Sequence, residues 1–493
     1  MSAKSIREFD GKAVLAYWLN KSPSISKEAY KTPSTNPDTR LAHIQFPLPN
    51  SEAPANSSTY KQVVEDVFAE VARQHPWVLT SKLVAKPDQL IKRRGKTGLL
   101  KLNATWDEAK EWIRERAGQP QQVQHAVGLL ITFLVEPFVP HSSDAEYYIN
   151  INSVREGDWI LFCNEGGVDV GDVDAKAKKI LIPVRLENFP SRSEISNTLL
   201  SDIPEKQHDS LVDFIIRLYS VYVDCQFTYL EINPLVVIPN GSGADVYYLD
   251  LAAKLDQTAD FECGSKWAVA RTAEALGIKS ENEDDSKPIT ADYGPPMAFP
   301  APFGRDLSKE EAYVQELDAK TGASLKLTIM NPNGRVWNLV AGGGASVVYA
   351  DAVAVNGAAD ELANYGEYSG APTDGQTYEY AKTVLDLMTR GKPRPDGKIL
   401  FIGGGIANFT SPAVTFRAIS RALGEFKDKL LEHKVSVWVR RAGPNYQEGL
   451  RVIREAGEKY NLSLKVYGPE CHISGIVPMG LGKAPVAPEW QMA

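Results

Sequence analysis

Cysteine is scarce in this chain: four residues in 493, at 163, 225, 263 and 471, with no CxxC pair among them. That argues against a disulfide framework and fits reduced thiols in a cytosolic setting. No run of about 18 apolar residues occurs, so no membrane span is expected. Met1 to Asn20 mixes charges early and has no long apolar core, so no signal peptide is expected. An excess of basic charge is missing too. The net charge of -8 argues against a general role on nucleic acid or anionic membranes. Neither glycine run of the second half, Gly342-Gly343-Gly344 or Gly403-Gly404-Gly405, belongs to a G-x-x-x-x-G-K-[ST] loop or a convincing G-x-G-x-x-G fingerprint. What remains is a long chain of ordinary soluble composition, enough for two or more domains with ample cores.

The most informative stretch runs from Tyr229 to Lys254. Two runs of branched and aromatic residues flank Pro239-Asn240-Gly241-Ser242-Gly243, a hairpin signal. Alternation along a strand puts Leu230 and Ile232 on one side and Glu231 and Asn233 on the other. On the return strand Tyr248, Asp250 and Ala252 are expected to share a face. The hairpin then gathers Asp250, Asn233 and Glu231, a small set of hard oxygen donors that suits magnesium. A half-buried hairpin with a solvated polar face has the same pattern.

Residues 10–22 and 58–74 read as helices, the second from its Tyr60, Val63, Val64, Val67, Phe68 and Val71 spacing. Pro47 to Ser58 reads as a surface loop. From Leu83 to Leu102 the pattern is strand, basic glycine loop, strand, with Lys86, Lys92, Arg93, Arg94 and Lys96 around Gly95 and Gly98. Glycine lets backbone N–H groups approach a phosphate and lysine adds a point charge, although a solvated basic turn looks alike. Leu129 to Pro140 reads as an apolar strand, Tyr147 to Phe162 as two strands, and 196–224 as helical. Gly264 to Arg305, with the acidic run 281–285 and a Pro-rich segment, reads as a linker.

The second half alternates strands and helices, which implies a parallel sheet covered on both faces. Strands are expected at Ser324 to Met330, Arg335 to Val340, Lys398 to Ile402, Val435 to Val439 and Leu464 to Tyr467, with a helix over Ile406 to Leu423. Strand, glycine loop, helix is a recipe for holding a carboxylate or phosphoryl group, and it also serves tight packing. Arg440 and Arg441 close a buried strand at its C-terminal end, where open α/β sheets bind ligands. Asn408 and Thr410 follow the second glycine run and can donate hydrogen bonds.

Longer segments carry a resemblance. Glu231-Ile232-Asn233-Pro234-Leu235, followed by Leu249-Asp250-Leu251-Ala252-Ala253-Lys254, resembles the end of the ATP-grasp domain in the succinyl-CoA synthetase β-subunit superfamily. Residues 88–96, 165–174 and 361–370 resemble the ATP-citrate lyase family more specifically. The resemblance spans nearly the whole chain and matches only the N-terminal half of the animal enzyme. It implies an α/β protein: an ATP-grasp domain over 1–263, a linker over 264–305, and a CoA-ligase-like, doubly wound parallel α/β domain over 306–493.

The resemblance also implies site residues. Lys86, Arg94, Gly95, Glu136, Pro137, Val139, Glu146 and Asp250 match nucleotide contacts, with backbone groups around Glu136 to Val139 along the adenine and Glu146 near the ribose. Asn233 and Asp250 match ligands of Mg²⁺. Asp318, Thr321 and Ala323 match a second metal-holding stretch. Gly370, Asn408, Thr410, Phe426 and Arg441 match citrate contacts, Phe426 standing where a tyrosine is expected. The acidic glycine loop 165–174 matches a loop near the reactive phosphate.

The family mechanism needs a phosphohistidine. None of the histidines, at 43, 75, 125, 141, 208, 433 and 472, lies in a recognisable phosphorylated loop. The resemblance therefore implies a partner subunit that carries the phosphohistidine, the CoA-binding part and the citrate-synthase-like part, while the cysteine usage of this chain points to the cytoplasm. Together the two would convert citrate, CoA and ATP to acetyl-CoA, oxaloacetate, ADP and phosphate. A succinyl-CoA synthetase-like acid–thiol ligase shares the ATP-grasp half, and a nucleotide-binding scaffold without turnover would keep the fold. Asn233 and Asp250 count against the scaffold, and 361–370 with 408–410 against the ligase.

Overall fold

The stretch expected as one hairpin folds as three strands in the computed structural model. Phe227–Asn240 is a single long strand. Gly243–Tyr248 returns along its far half, with Leu235 opposite Tyr248. The chain then steps through Leu249 and Asp250, and Leu251–Asp256 pairs with the near half, Ile232 opposite Leu251. Tyr248, Asp250 and Ala252 therefore do not share one strand face. The break has a local cause. Pro234 has no N–H for the ladder, and the register shifts between Ile232 and Leu235. Asn233 stays at the break, its N–H donating to the Asp250 carbonyl at 3.1 Å.

The structure describes residues 3–21, 39–50, 52–91, 94–124, 126–167, 173–184, 189–241, 243–278, 294–305, 307–320, 322–406 and 410–491. The chain divides into two units, Met1–Asp306 and Leu307–Ala493.

Among the described residues the first unit holds two larger antiparallel sheets with separate cores and a two-stranded one, Pro120–Val123 with Ala126–Leu129. One has seven strands, ordered Ala3–Ser5, Leu251–Asp256, Phe227–Asn240, Glu146–Val154, Gly157–Cys163 and Lys178–Pro183, with Gly243–Tyr248 on the long strand. The helix His208–Asp224 covers it and buries Leu211, Ile215, Leu218 and Tyr222. The other has four strands, ordered Ala42–Gln45, Thr132–Pro137, Leu83–Pro87 and Lys101–Ala104. Against it packs the helix Ser58–Gln74 through Tyr60, Val64, Phe68 and Val71, the spacing read from the sequence. Ser57 caps that helix by accepting from the Tyr60 N–H at 3.1 Å.

Several expected boundaries move. The first helix is Glu8–Trp18, not 10–22. The helical stretch 196–224 is two helices, Arg192–Leu199 and His208–Asp224, separated where Pro204 interrupts. The expected linker is partly core: the helix Asp260–Val269 buries Trp267 completely, and Met297 joins the same core. The acidic run 281–285 lies outside the described residues.

The second unit is one six-stranded sheet, ordered Ser324–Ile329, Asn364–Ser369, Val336–Ala341, Lys398–Gly404, Val435–Arg440 and Ser463–Tyr467. It is parallel except at the first edge, where Ser324–Ile329 runs antiparallel to Asn364–Ser369. Alternate residues feed two cores on opposite faces: Trp337, Leu339, Leu400 and Val437 on one, Val336, Val340, Phe401 and Trp438 on the other. The helix expected from Ile406 begins at Pro412, because proline at the first turn fits a helix start. Thr410 and Ser411 precede that helix, and 407–409 lie outside the described residues.

Candidate functional site

In the first unit, cations and carboxylates from both sheets meet on the first helix. Lys86, on Leu83–Pro87, reaches Glu8 at 2.7 Å, Glu136 at 2.6 Å and the Leu249 carbonyl at 2.7 Å. Lys12, one turn after Glu8, reaches Glu8 at 2.9 Å, Glu136 at 2.6 Å and the same carbonyl at 2.8 Å. Arg94, at the start of the short helix Arg94–Thr97, donates to Glu8, to Asp250 at 2.5 Å and to the Pro87 carbonyl at 2.8 Å. Three cations thus face three carboxylates, and only Asp250, 39% exposed, opens substantially to solvent.

Electrostatics follow from this crowding. Burial alone would raise the Glu8 pKa, but Arg94, Lys12 and Lys86 together hold the carboxyl below its usual range. Burial opposes the charged form of Lys12, yet Glu136 and Glu8 hold its ammonium above the usual range. Asp250 and Glu8 do the same for Arg94. Asp88 differs. It accepts from the Glu8 N–H at 2.9 Å and the Phe9 N–H at 3.2 Å, tying the start of the first helix to the strand that carries Lys86. Burial, with Glu8 nearby, pushes the Asp88 carboxyl up to about 7.

Beside the cluster opens a cleft of about 330 Å³, counting space open to solvent, lined by Lys12, Leu41, Glu136, Pro137, Val139, Tyr248 and Leu249 among others. This is where the strand expected along adenine lies. Past it, His141 meets the Val139 carbonyl at 2.7 Å and Glu146 at 3.2 Å. Glu146 crowds Gly167: a Cβ added at Gly167 would lie 1.9 Å from a Glu146 oxygen, and φ there is +91°. The Gly167 N–H in turn donates to the Asn233 side-chain oxygen at 2.6 Å. Asn233 and Asp250 are thus neighbours, and the acidic glycine loop reaches them at Gly167; its residues 168–172 lie outside the described set.

Expected nucleotide residues Lys86, Arg94, Gly95, Glu136, Pro137, Val139, Glu146 and Asp250 all fall on this cluster and cleft or next to them. Glu231 does not join them in the way expected; its carboxylate accepts from the Tyr229 hydroxyl. Sequence reasoning missed Glu8 and Lys12, which share one helix face at i and i+4. Two opposite charges at that spacing were the available signal, but it also marks any solvated helix.

In the second unit, Arg441 follows the strand Val435–Arg440 and is 0% exposed. It donates to the Gly405 carbonyl at 2.6 Å and the Thr410 carbonyl at 3.0 Å, and its Nε has no hydrogen-bond partner among the described residues. No carboxylate pairs with it among the described residues. Burial lowers its pKa. Thr410 receives the Ala371 N–H at 3.5 Å on its hydroxyl, which brings Gly370 and its left-handed turn, φ +70°, beside Thr410. Gly370, Thr410 and Arg441 therefore converge. Asn408 lies outside the described residues.

Phe426 does not converge with them. It follows the C-terminal end of the helix Pro412–Glu425, whereas Thr410 precedes its start. Fourteen residues at 1.5 Å each put the two about 20 Å apart. Phe426 is instead a core residue with the Lys429 ammonium over its ring. The second metal stretch is also changed. Asp318 accepts from the Leu325 N–H at 2.7 Å and from the Lys326 ammonium, so its carboxylate already has a cation. Thr321 lies outside the described residues, and Ala323 ends the turn before Ser324–Ile329. The first glycine run carries its own anion: Glu367 packs against Gly343 at the start of the helix Gly343–Val353 and accepts from the Ser324, Tyr365 and Ser369 hydroxyls. Arg440 spans the Cys471 and Gly404 carbonyls at 2.9 and 3.0 Å.

Comparison with known proteins agrees with both halves. Residues 2–267 match the family described as "ATP-citrate synthase ATP-grasp domain", and residues 305–483 match "ATP citrate lyase citrate-binding". The chain is 83% identical over its full length to the whole of "Probable ATP-citrate synthase subunit 2" of Schizosaccharomyces pombe. It is 51% identical to the human "ATP-citrate synthase" over 87% of this chain, a match covering 36% of the human protein. Among solved structures, ATP citrate lyase from Methanothrix soehngenii, in complex with citrate and coenzyme A, superposes with a TM-score of 0.75 at 39% identity, covering 97% of this chain and 100% of that one. The chain belongs to the ATP-citrate synthase (ATP-citrate lyase) family, as a subunit that carries its ATP-grasp and citrate-binding regions.

Proposed function

We propose that this chain binds MgATP in its first unit and citrate in its second. With a partner subunit in the cytoplasm it converts citrate, CoA and ATP to acetyl-CoA, oxaloacetate, ADP and phosphate. One observation carries the citrate assignment: Arg441, wholly buried, meets only carbonyl oxygens among the described residues. A buried cation without a counter-charge costs several kcal/mol, about the penalty expected for one desolvated ion, and an arriving carboxylate offsets it. Arg441 then supplies a charge-assisted hydrogen bond to one citrate carboxylate, while the Thr410 hydroxyl and N–H groups near Gly370 orient the molecule.

In the first unit the base lies in the cleft at Glu136 to Val139. Lys86 and Arg94 turn from their carboxylates to the phosphates, an exchange of one anionic partner for another. Asn233 and Asp250 are the donors suited to Mg²⁺: an amide oxygen and a partly exposed carboxylate, few in number, leaving positions for phosphate and water. When bound, that ion offsets the charge developing on the transferring phosphoryl group. The phosphohistidine, CoA-binding and citrate-synthase-like parts belong to the partner. Cytoplasmic location fits four free cysteines, three of them buried, and no helix among the described residues is long and apolar enough to cross a membrane.

The test is turnover of the assembled enzyme. Asp250→Ala should abolish ATP-dependent acetyl-CoA formation with the fold intact by circular dichroism. Normal turnover in that variant would remove Asp250 from the metal site.

A further inference from the structure

The first helix supplies the residue on which the cluster converges. Glu8 is buried and takes three cations on one carboxylate: Lys12 and Lys86 on Oε1 at 2.9 and 2.7 Å, and Arg94 on Oε2. Its backbone is fixed as well, because Asp88 accepts its N–H at 2.9 Å. Arg94 is the shared member. The same Nη2 that meets Glu8 also meets Asp250 at 2.5 Å. Glu8 and Asp250 therefore compete for one guanidinium.

That competition matters because Asp250 has a second task. A carboxylate fully claimed by arginine is a poor ligand for a metal ion, since the two positive charges exclude each other at one oxygen pair. We propose that Glu8 is a positioning residue for metal–nucleotide binding: by holding Lys12 and Lys86 and sharing Arg94 with Asp250, it keeps the guanidinium from settling on Asp250 alone and leaves that carboxylate available to the metal. This rests on the nucleotide site proposed above. Without Glu8, Arg94 keeps Asp250 as its only carboxylate and settles on it, and Lys12 and Lys86 keep Glu136. The metal complex of the nucleotide then loses its carboxylate ligand, whereas the nucleotide alone meets a site with one negative charge fewer. Loss of Glu8 thus acts on the two ligand forms differently, which a general loosening of the fold would not do.

The experiment is calorimetric titration of the full chain with ADP, once with Mg²⁺ and once with a chelator, in wild type, Glu8→Gln, Glu8→Asp and Lys86→Ala. Glu8→Gln should weaken MgADP binding by about tenfold or more while metal-free ADP changes by less than about threefold, an imbalance expected when one member of a coupled charge network is removed. Glu8→Asp keeps the charge on a shorter arm and should recover most of the loss. Citrate affinity should stay at the wild-type value in both. Equal weakening of the two ADP forms, or none, would overturn the proposal. If Glu8→Gln does not yield folded protein, Glu8→Asp decides: a few-fold loss confined to MgADP supports the proposal, and no loss or an equal loss overturns it. Lys86→Ala separates the two readings. If it binds both ADP forms as wild type does, or if wild type binds neither, the nucleotide site itself is misplaced and the proposal falls with it. If it is weakened while Glu8→Gln is normal, only the role of Glu8 falls.

Discussion

Arg441 is the residue whose placement is hardest to explain without a ligand, because a fully buried guanidinium normally has an acid beside it. Arg441→Ala should weaken citrate binding by about 1.5–3 kcal/mol, the range for a hydrogen bond to a charged group. That is roughly ten- to a hundredfold in a titration, and an unchanged affinity would take Arg441 out of the site. A pair of residues predicts pH behaviour. Asp88 and His43 lie 3.9 Å apart beneath the first helix. Burial, with Glu8 nearby and against Arg94, raises Asp88 from 3.8 to about 7, so folding takes up a proton and Asp88 makes stability fall as pH rises across that interval. Burial lowers His43 from 6.5 to about 4, so folding releases a proton and His43 makes stability rise with pH from about 4 to 6.5. The two slopes oppose each other, each up to about 1.4 kcal/mol per pH unit. His43→Gln should expose the downward slope and Asp88→Asn the upward one, read from urea midpoints between pH 4.5 and 6.5. Parallel profiles in both variants would show that the pair is not the source.

At the scale of elements, the site depends on where strands stop. The long strand Phe227–Asn240 serves two partners in turn, and the handover at Leu249 and Asp250 is what sets Asp250 beside Asn233. Gly167 approaches from the next loop so closely that a methyl group would collide with Glu146. Gly167→Ala should therefore cost about 1–3 kcal/mol, typical of a non-glycine residue forced to positive φ, and weaken MgADP binding because the Asn233 contact is lost. Equal urea midpoints and affinities for variant and wild type would contradict this.

Much at this scale was legible. The spacing of Tyr60, Val64, Phe68 and Val71 gave the helix Ser58–Gln74 to the residue, and the apolar runs of the second half gave four of its five parallel strands, while Ser324–Ile329, read with them, runs antiparallel at the edge. The strand break at Asp250 was not legible, since alternation continues through it and only pairing reveals the change of partner. Asn364–Ser369 was not read as a strand because Asn, Gly and Glu dilute its pattern, although it pairs on both sides. Glu8 and Lys12 were hidden for a different reason: their partners lie 78 and 124 residues away, and no local pattern reports that.

At the scale of the whole molecule, the two proposed ligand sites lie in separate units, and the linker expected over 264–305 is in part the core of the first unit, through Trp267 and Met297. Two sites in separate units predict independence under mutation. The most direct test is calorimetric titration of the full chain with MgADP, citrate and succinate, in wild type, Asp250→Asn and Arg441→Ala. The account predicts that wild type binds MgADP and citrate with little succinate, that Asp250→Asn loses MgADP and keeps citrate, and that Arg441→Ala does the reverse. Preference for succinate, or loss of both ligands in either variant with the fold intact, would contradict it.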